Sequence, residues 1–255
     1  MGLHYREDDQ EVFLERVTAR AAEAGFDSLL DYYYFLKYDA AAARELEMLV
    51  DALVINETFF FRELEPLRVL VEQVIAPLVR AGKKVRVWSA ACSTGEEPLT
   101  LAMLLAEAKL LSHVEIIASD ISVRALDRAR AGKYGKRSLR DAEHHGMAAR
   151  WIREVDGTLV VDESIRSAIT WKRVNLCSRE SVNSVGSNHF ILCRNALIYF
   201  DDATTVRVLE ALGTALEPGG RLLVGVSESL LRFATALECE EIQHAFFYRK
   251  PHDHR

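Results

Sequence analysis

Apolar residues along the chain change their period near residue 84. Before it they recur at helical spacing. Val12, Phe13 and Val17 share one face with Arg16 and Arg20 on another, and Phe26, Leu29, Leu30, Tyr33 and Leu36 continue the pattern. A further helix from about Ala41 to Ile55 directs Leu46, Leu49, Val50 and Leu53 inward. No glycine or proline occurs from Asp27 until Pro66, which predicts long helices and a small all-helical N-terminal domain over residues 1–65. Residues 66–83 read as a linker helix. Beyond it, short β-branched runs alternate with helical stretches: Val85 to Trp88, Val114 to Ser119, Trp171 to Leu176, His189 to Cys193 and Arg221 to Gly225. That alternation predicts an α/β domain with a mostly parallel sheet over residues 84–255. Glu217-Pro218-Gly219-Gly220 stops the helix that begins at Ala203, and Phe246-Phe247-Tyr248 supplies an edge strand. Residues 133–172 break the rhythm. There, Gly157 to Val161 and Ile165 to Trp171 predict two short strands around Asp162-Glu163-Ser164, an inserted β-subdomain.

The most informative junction is Lys84 to Leu105. A buried strand runs into a turn of small residues, Ser89 to Gly95, and Glu96-Glu97-Pro98 then opens a helix. Acidic residues and proline suit a first helical turn, where amides lack partners and the dipole favours negative charge. Strand, small-residue turn and helix together open a nucleotide-binding unit. Gly95 is the turn's one glycine and no lysine follows it, so neither a dinucleotide fingerprint nor a P-loop is present. Two glutamates would repel a pyrophosphate but tolerate a cation, such as the amino and sulfonium groups of S-adenosylmethionine. An ordinary turn with solvated glutamates is the plainer alternative. Asp120, ending the second strand, is placed either to accept ribose hydroxyls or to cap the next helix, a need Ser122 also meets.

Composition narrows the class. Apolar residues make up 49% and charged residues 27%, the balance of a globular protein, and no apolar run approaches the ~20 residues of a membrane span. The start, MGLHYRED, has no signal-peptide core, and Arg6 spoils a myristoylation pattern, so a cytoplasmic location is expected. A net charge of −6 disfavours nucleic acid. Cys92, Cys177, Cys193 and Cys239 lack metal or disulfide spacing, and Cys92 reads as a small turn residue before a nucleophile.

Trp88-Ser89-Ala90-Ala91-Cys92-Ser93-Thr94-Gly95-Glu96-Glu97-Pro98 resembles the signature of the CheR family, the chemotaxis receptor glutamate methyltransferases. Asn56-Glu57-Thr58-Phe59-Phe60-Phe61-Arg62, Ala118 to Ser122, Asn175-Leu176 and Cys193 to Phe200 resemble further family motifs in the family's order. The resemblance implies a Rossmann-like class I methyltransferase domain that moves a methyl group from S-adenosylmethionine to glutamates on the cytoplasmic helices of methyl-accepting chemoreceptors. It implies Asn56 and Thr58 at the reacting end, Ala90 and Glu96 at the methionine part, Asp120 at the ribose, and Asn175, Leu176, Arg194 and Asn195 on the adenosine side. Arg62 and Tyr199 become the catalytic pair, Arg62 also bordering the cofactor. Taken singly, Arg194 also reads as an ion-pair partner and Tyr199 as a half-buried core residue. A glutamate side chain ordinarily titrates near pH ~4.3 and is already ionised at neutral pH, so no catalytic base is needed. The family's receptor-tether readers carry a glycine in a loop of the insertion. Asp162-Glu163-Ser164 has none, so a tether-independent enzyme is expected; a monomer is expected as well. A basic N-terminal helix is the family's feature facing the acidic substrate, but here Arg16 and Arg20 interleave with Glu11, Glu15 and Glu23. The alternatives are a cofactor-binding regulatory module, or methylation of a small molecule or of a signalling protein outside chemotaxis.

Overall fold

The structure, a computed structural model, describes residues 2–5 and 7–252. Arg6 and the end of the polar tail, residues 253–255, lie outside the described residues.

Three helices come first: α1 (Gln10–Glu23), α2 (Leu29–Tyr38) and α3 (Ala42–Leu53). They are shorter than the missing glycines and prolines predict. Side chains end them instead: Ser28 caps α2 by accepting from the Asp31 amide, and Asp39 accepts from the Ala41 amide and turns the chain. Their inward face also differs from the expected one. Val12, Phe13, Leu14, Leu30, Tyr33 and Leu46 are exposed, whereas Arg20, Tyr32 and Glu45 are buried. Arg20 donates to both Glu45 carboxylate oxygens, at 2.6 and 2.8 Å, and the Tyr32 hydroxyl donates to Glu45 at 2.7 Å. This bidentate pair sets the rotation of the helices, because burying either charge alone costs more than exposing a leucine.

After the Asn56–Arg62 loop, α4 (Leu64–Val69) runs through a wider π-helical turn (Leu70–Ile75) into α5 (Ala76–Arg80). The parallel sheet then builds in order: β1 (Val85–Ala90), α6 (Glu96–Glu107), β2 (Val114–Asp120) and α7 (Val123–Ala131). The insertion holds β3 (Lys133–Tyr134), α8 (His145–Trp151), β4 (Ile152–Val155), β5 (Thr158–Val161) and α9 (Glu163–Arg166). The main sheet resumes with β6 (Ile169–Arg173), α10 (Arg179–Asn183), β7 (Asn188–Cys193), α11 (Asp202–Thr214) and β8 (Leu216–Val224), and ends with β9 (Glu238–Ile242) and β10 (Ala245–Arg249).

Seven strands lie in the order β6-β2-β1-β7-β8-β10-β9, and β10 runs antiparallel to β8. Both faces are buried. Val87, Phe190 and Leu192 face the layer of α4, α5 and α6, while Trp88, Ile191 and Cys193 face α10 and α11. Double burial is why these strands read as continuous apolar runs. β1 has β2 on one side and β7 on the other. The connections diverge there, and ligands bind at the carboxyl ends of strands at such a switch point.

Two expectations change. Phe246 to Tyr248 is not an edge strand: β10 lies between β8 and β9, and the acidic β9 forms the edge. In the insertion, the second strand is not the partner of the first. Ile169–Arg173 joins the main sheet beside β2, and the hairpin is β4–β5, turning at Asp156 and Gly157 with φ of 49° and 77°. Asp-Gly suits a two-residue hairpin turn. Asp162 instead accepts from the Ser164 amide and caps α9.

Candidate active site

At the switch point the chain leaves regular geometry. Ala91, Ser93 and Gly95 take positive φ after β1, as do Phe61 and Glu63 in the preceding loop and Asn195 after β7. Left-handed conformations in non-glycine residues cost energy and persist where surrounding contacts hold them. Here the contacts are visible. The Ser93 amide donates to Asp120 at 2.8 Å, the Ser93 hydroxyl donates to Asn56, and Tyr134 donates its hydroxyl to the Thr94 carbonyl. Gly95 is required by packing as well as by its φ of 93°, since a Cβ there would sit 2.7 Å from Ala129 Cβ and 2.9 Å from the Trp171 ring.

These loops enclose a cleft of about 1020 Å³, its open mouth included. Asn56, Thr58, Arg62, Asp120, Asn175, Leu176, Arg194, Asn195 and Tyr199 all line it. Ala90 and Glu96 do not. Ala90 is the last residue of β1 and is buried among the residues packed on α11, so Ala91 takes the cleft position. Glu96 is 1% exposed and is held away by the Thr94 and Ser138 hydroxyls; burial raises its pKa against those donors. Glu97 lines the cleft instead, accepting from Ser89 at 2.7 Å and Arg194 at 3.1 Å. A helix turns each residue about 100° from the last, so one step along α6 decides which glutamate faces the ligand.

Arg194 is both a cleft residue and a structural cation. It pairs with Glu97 and Glu63 and also donates to the carbonyls of Arg62 and Glu63, at 2.8 and 3.0 Å. Burial pushes the Glu63 carboxyl up, but Arg194 and the donors of Val226 and Asn195 outweigh it and hold the pKa below the usual value. Asp120 likewise does two tasks, since its oxygens accept from the Ser93 and Ser122 amides while Ser122 caps α7. Burial raises its pKa, opposed by those amides. The Asn175 side chain accepts from the Cys177 amide, shaping its own turn. Cys92 is buried, and burial, followed by the charges of Asp120 and Glu97, pushes its thiol well above the ordinary range, unsuited to a nucleophile.

Arg62 donates to the Glu57 carbonyl at 3.0 Å and stands 5.7 Å from the Phe59 ring centroid. Tyr199 is half-buried. Burial raises its pKa and the nearby Arg62 charge opposes that, so the hydroxyl stays protonated as a donor at neutral pH. Sequence reasoning overlooks Glu63 and Glu228. The buried Glu228 carboxylate accepts from the amides of Gly225, Asn195, Leu197 and Ile198, fixing the loop that presents Tyr199. Its one sequence signal is an acid soon after a strand end, Ser227-Glu228-Ser229.

The arrangement fits S-adenosylmethionine and disfavours a phosphate ligand. Carboxylates of Glu97 and Asp120 stand in the cleft, the Arg194 charge is already paired, and Ile121, Val174 and Leu176 offer apolar walls. This sheet order with its antiparallel strand, and a cleft of this kind at the switch point, define a class I S-adenosylmethionine-dependent methyltransferase. The chain belongs to the CheR methyltransferase family: the family described as "CheR methyltransferase, SAM binding domain" matches residues 56–246. It is 34% identical to "Chemotaxis protein methyltransferase 2" of Vibrio cholerae serotype O1, covering 98% of this chain and 88% of that protein. It is 30% identical to "Chemotaxis protein methyltransferase 1" of Pseudomonas aeruginosa, over 97% and 92%. The "Probable biofilm formation methyltransferase WspC" of the same species is 32% identical over 81% of this chain and 49% of its own length. The protein is therefore a methyltransferase with S-adenosylmethionine as cofactor. No described helix is long and apolar enough to cross a membrane.

Proposed function

We propose that the protein methylates glutamate side chains on the cytoplasmic helices of chemoreceptors, leaving methyl esters. The observation that carries this is that Arg62 and Tyr199 both line the cofactor cleft, with the Arg62 charge near enough to act on the Tyr199 hydroxyl. When bound, S-adenosylmethionine supplies an electrophilic methyl group. Arg62 presents planar N–H donors that orient an acceptor carboxylate, and the Tyr199 hydroxyl adds a second donor. The carboxylate arrives ionised, so the site needs position and dryness, not a base. Phe59, Phe200 and Ala196 line the cleft there and help keep water out. Asn56 and Thr58 border the reacting end, Glu97 and Ala91 the methionine part, Asp120 the ribose, and Asn175, Leu176 and Asn195 the adenosine side. Arg194 holds the walls together. The names of the Vibrio and Pseudomonas relatives support the chemotaxis assignment.

The test is transfer of labelled methyl to a chemoreceptor cytoplasmic fragment. Base-labile label is expected, with kcat about 10²-fold lower in Arg62→Ala and reduced in Tyr199→Phe. A base-stable product, or full activity without Arg62, would reject the reading. The WspC relative, named for biofilm formation, supports a second reading, in which the acceptor is a signalling protein outside chemotaxis. The same assay with both kinds of acceptor separates them. The ground for tether independence falls away, because the insertion's hairpin turn contains Gly157. Titration with a receptor-tail peptide decides it.

A further inference from the structure

Two cationic groups of the N-terminal helices, Arg16 and Arg20, are engaged internally. Arg20 is buried on Glu45, and Arg16 donates to the Leu53 carbonyl. A different cationic segment stands at the cleft. Lys133, Lys136, Arg137 and Arg140 fall within eight residues after α7, all exposed, and the segment is bound to the active-site loop through the Phe60 amide, which donates to the Ser138 carbonyl at 2.8 Å. Lys136 pairs with Glu154. Arg137 has no side-chain partner among the described residues. Arg140 lies 4.5 Å from the centroid of Phe59, the ring that Arg62 also approaches, and pairs with Glu57 at 3.4 Å. Phe59 and Glu57 both line the cleft.

We propose that Arg140, supported by Arg137, is an acceptor-specificity residue that reads a second carboxylate beside the glutamate being methylated. This rests on the proposed protein-glutamate acceptor. The Phe59 ring lies 5.7 Å from the Arg62 guanidinium and 4.5 Å from that of Arg140, so two cations meet the same part of the cleft wall, Arg62 for the acceptor and Arg140 for an acidic neighbour on the same helix. Arg140 spends two of its five donors, on Glu57 and on the Arg137 carbonyl, and leaves the others for a ligand. Its ion pair with Glu57 is exposed and long, the kind that contributes little, so an incoming carboxylate exchanges for it readily. A chain of net charge −6 would otherwise repel an acidic substrate, and a local cationic mouth is the physical remedy.

The experiment uses the full chain with receptor fragments in which an acid one turn from the methylated glutamate is retained, replaced by glutamine or replaced by lysine. With the acidic fragment, Arg140→Ala is expected to raise KM about tenfold while kcat falls far less, and Arg140→Lys to recover part of the loss. Arg140→Glu is expected to prefer the lysine fragment. Arg80→Ala, far from the cleft, serves as the charge control. The affinity of each variant for S-adenosylhomocysteine separates acceptor reading from wall support. If Arg140→Ala weakens that affinity and leaves acceptor KM unmoved, or if all fragments respond alike, the inference is overturned. If wild type methylates none of the fragments, the proposed function fails first.

Discussion

Glu96 and Glu97 show how much one residue step matters. Glu97→Gln removes the charge that faces Arg194 in the cleft, and affinity for S-adenosylhomocysteine should drop about tenfold by calorimetry, or ~1.4 kcal/mol. Glu96→Gln acts on stability. Burial raises the Glu96 pKa in the folded chain, so the native state holds a proton that the unfolded state has already released. Wild-type stability from this group is therefore intact below the unfolded value and is lost as pH rises through the folded value. A neutral glutamine escapes that loss. The variant should melt higher than wild type at pH 8, with the gap closing as pH falls; an unchanged gap would contradict the ionisation argument. Neither outcome is legible in Glu96-Glu97-Pro98 itself, because a motif names the residues and only the helix rotation shows which faces the ligand.

Among elements, the β1–α6 turn and the insertion behave differently. Gly95→Ala places a methyl against Ala129 and Trp171 at a φ that side chains avoid. It should destabilise the protein by about 1–3 kcal/mol in denaturant titration and open the cleft floor. The turn is readable from sequence as strand, small residues and acidic helix start, since each part follows from local propensity. The insertion is not, because Gly157 to Val161 and Ile165 to Trp171 are both short apolar runs. Trp171 to Leu176 reads as a strand of the main sheet, but nothing local says that the strand starts at Ile169, ends at Arg173 and pairs with β2, or that Ile165 is buried from a helix. Pairing partners are non-local, and two strands of similar composition compete equally in sequence.

Across the whole molecule, Arg194 joins β7, α6 and the Arg62–Glu63 loop through one buried guanidinium. Arg194→Met leaves Glu63 and Glu97 without their cation and should cost about 3–5 kcal/mol, against less than ~1 for the partly exposed pair lost in Arg249→Ala. Thermal melts with and without S-adenosylhomocysteine would show both effects. At a hundredfold excess over Kd, the ligand should add about 2.7 kcal/mol to wild type and much less to Arg194→Met.

By itself the sequence determined the fold class and the position of the cleft along the chain. Buried strands, small-residue turns and helix starts are local patterns whose period survives without knowledge of partners. Tertiary structure alone decided which members of each motif face the ligand, why the N-terminal helices turn Arg20 and Glu45 inward, where β6 and β10 pair, and that Glu63 and Glu228 hold the site. Each of these depends on satisfying buried charges and backbone groups across long stretches of chain, and that requirement exists only once the elements meet.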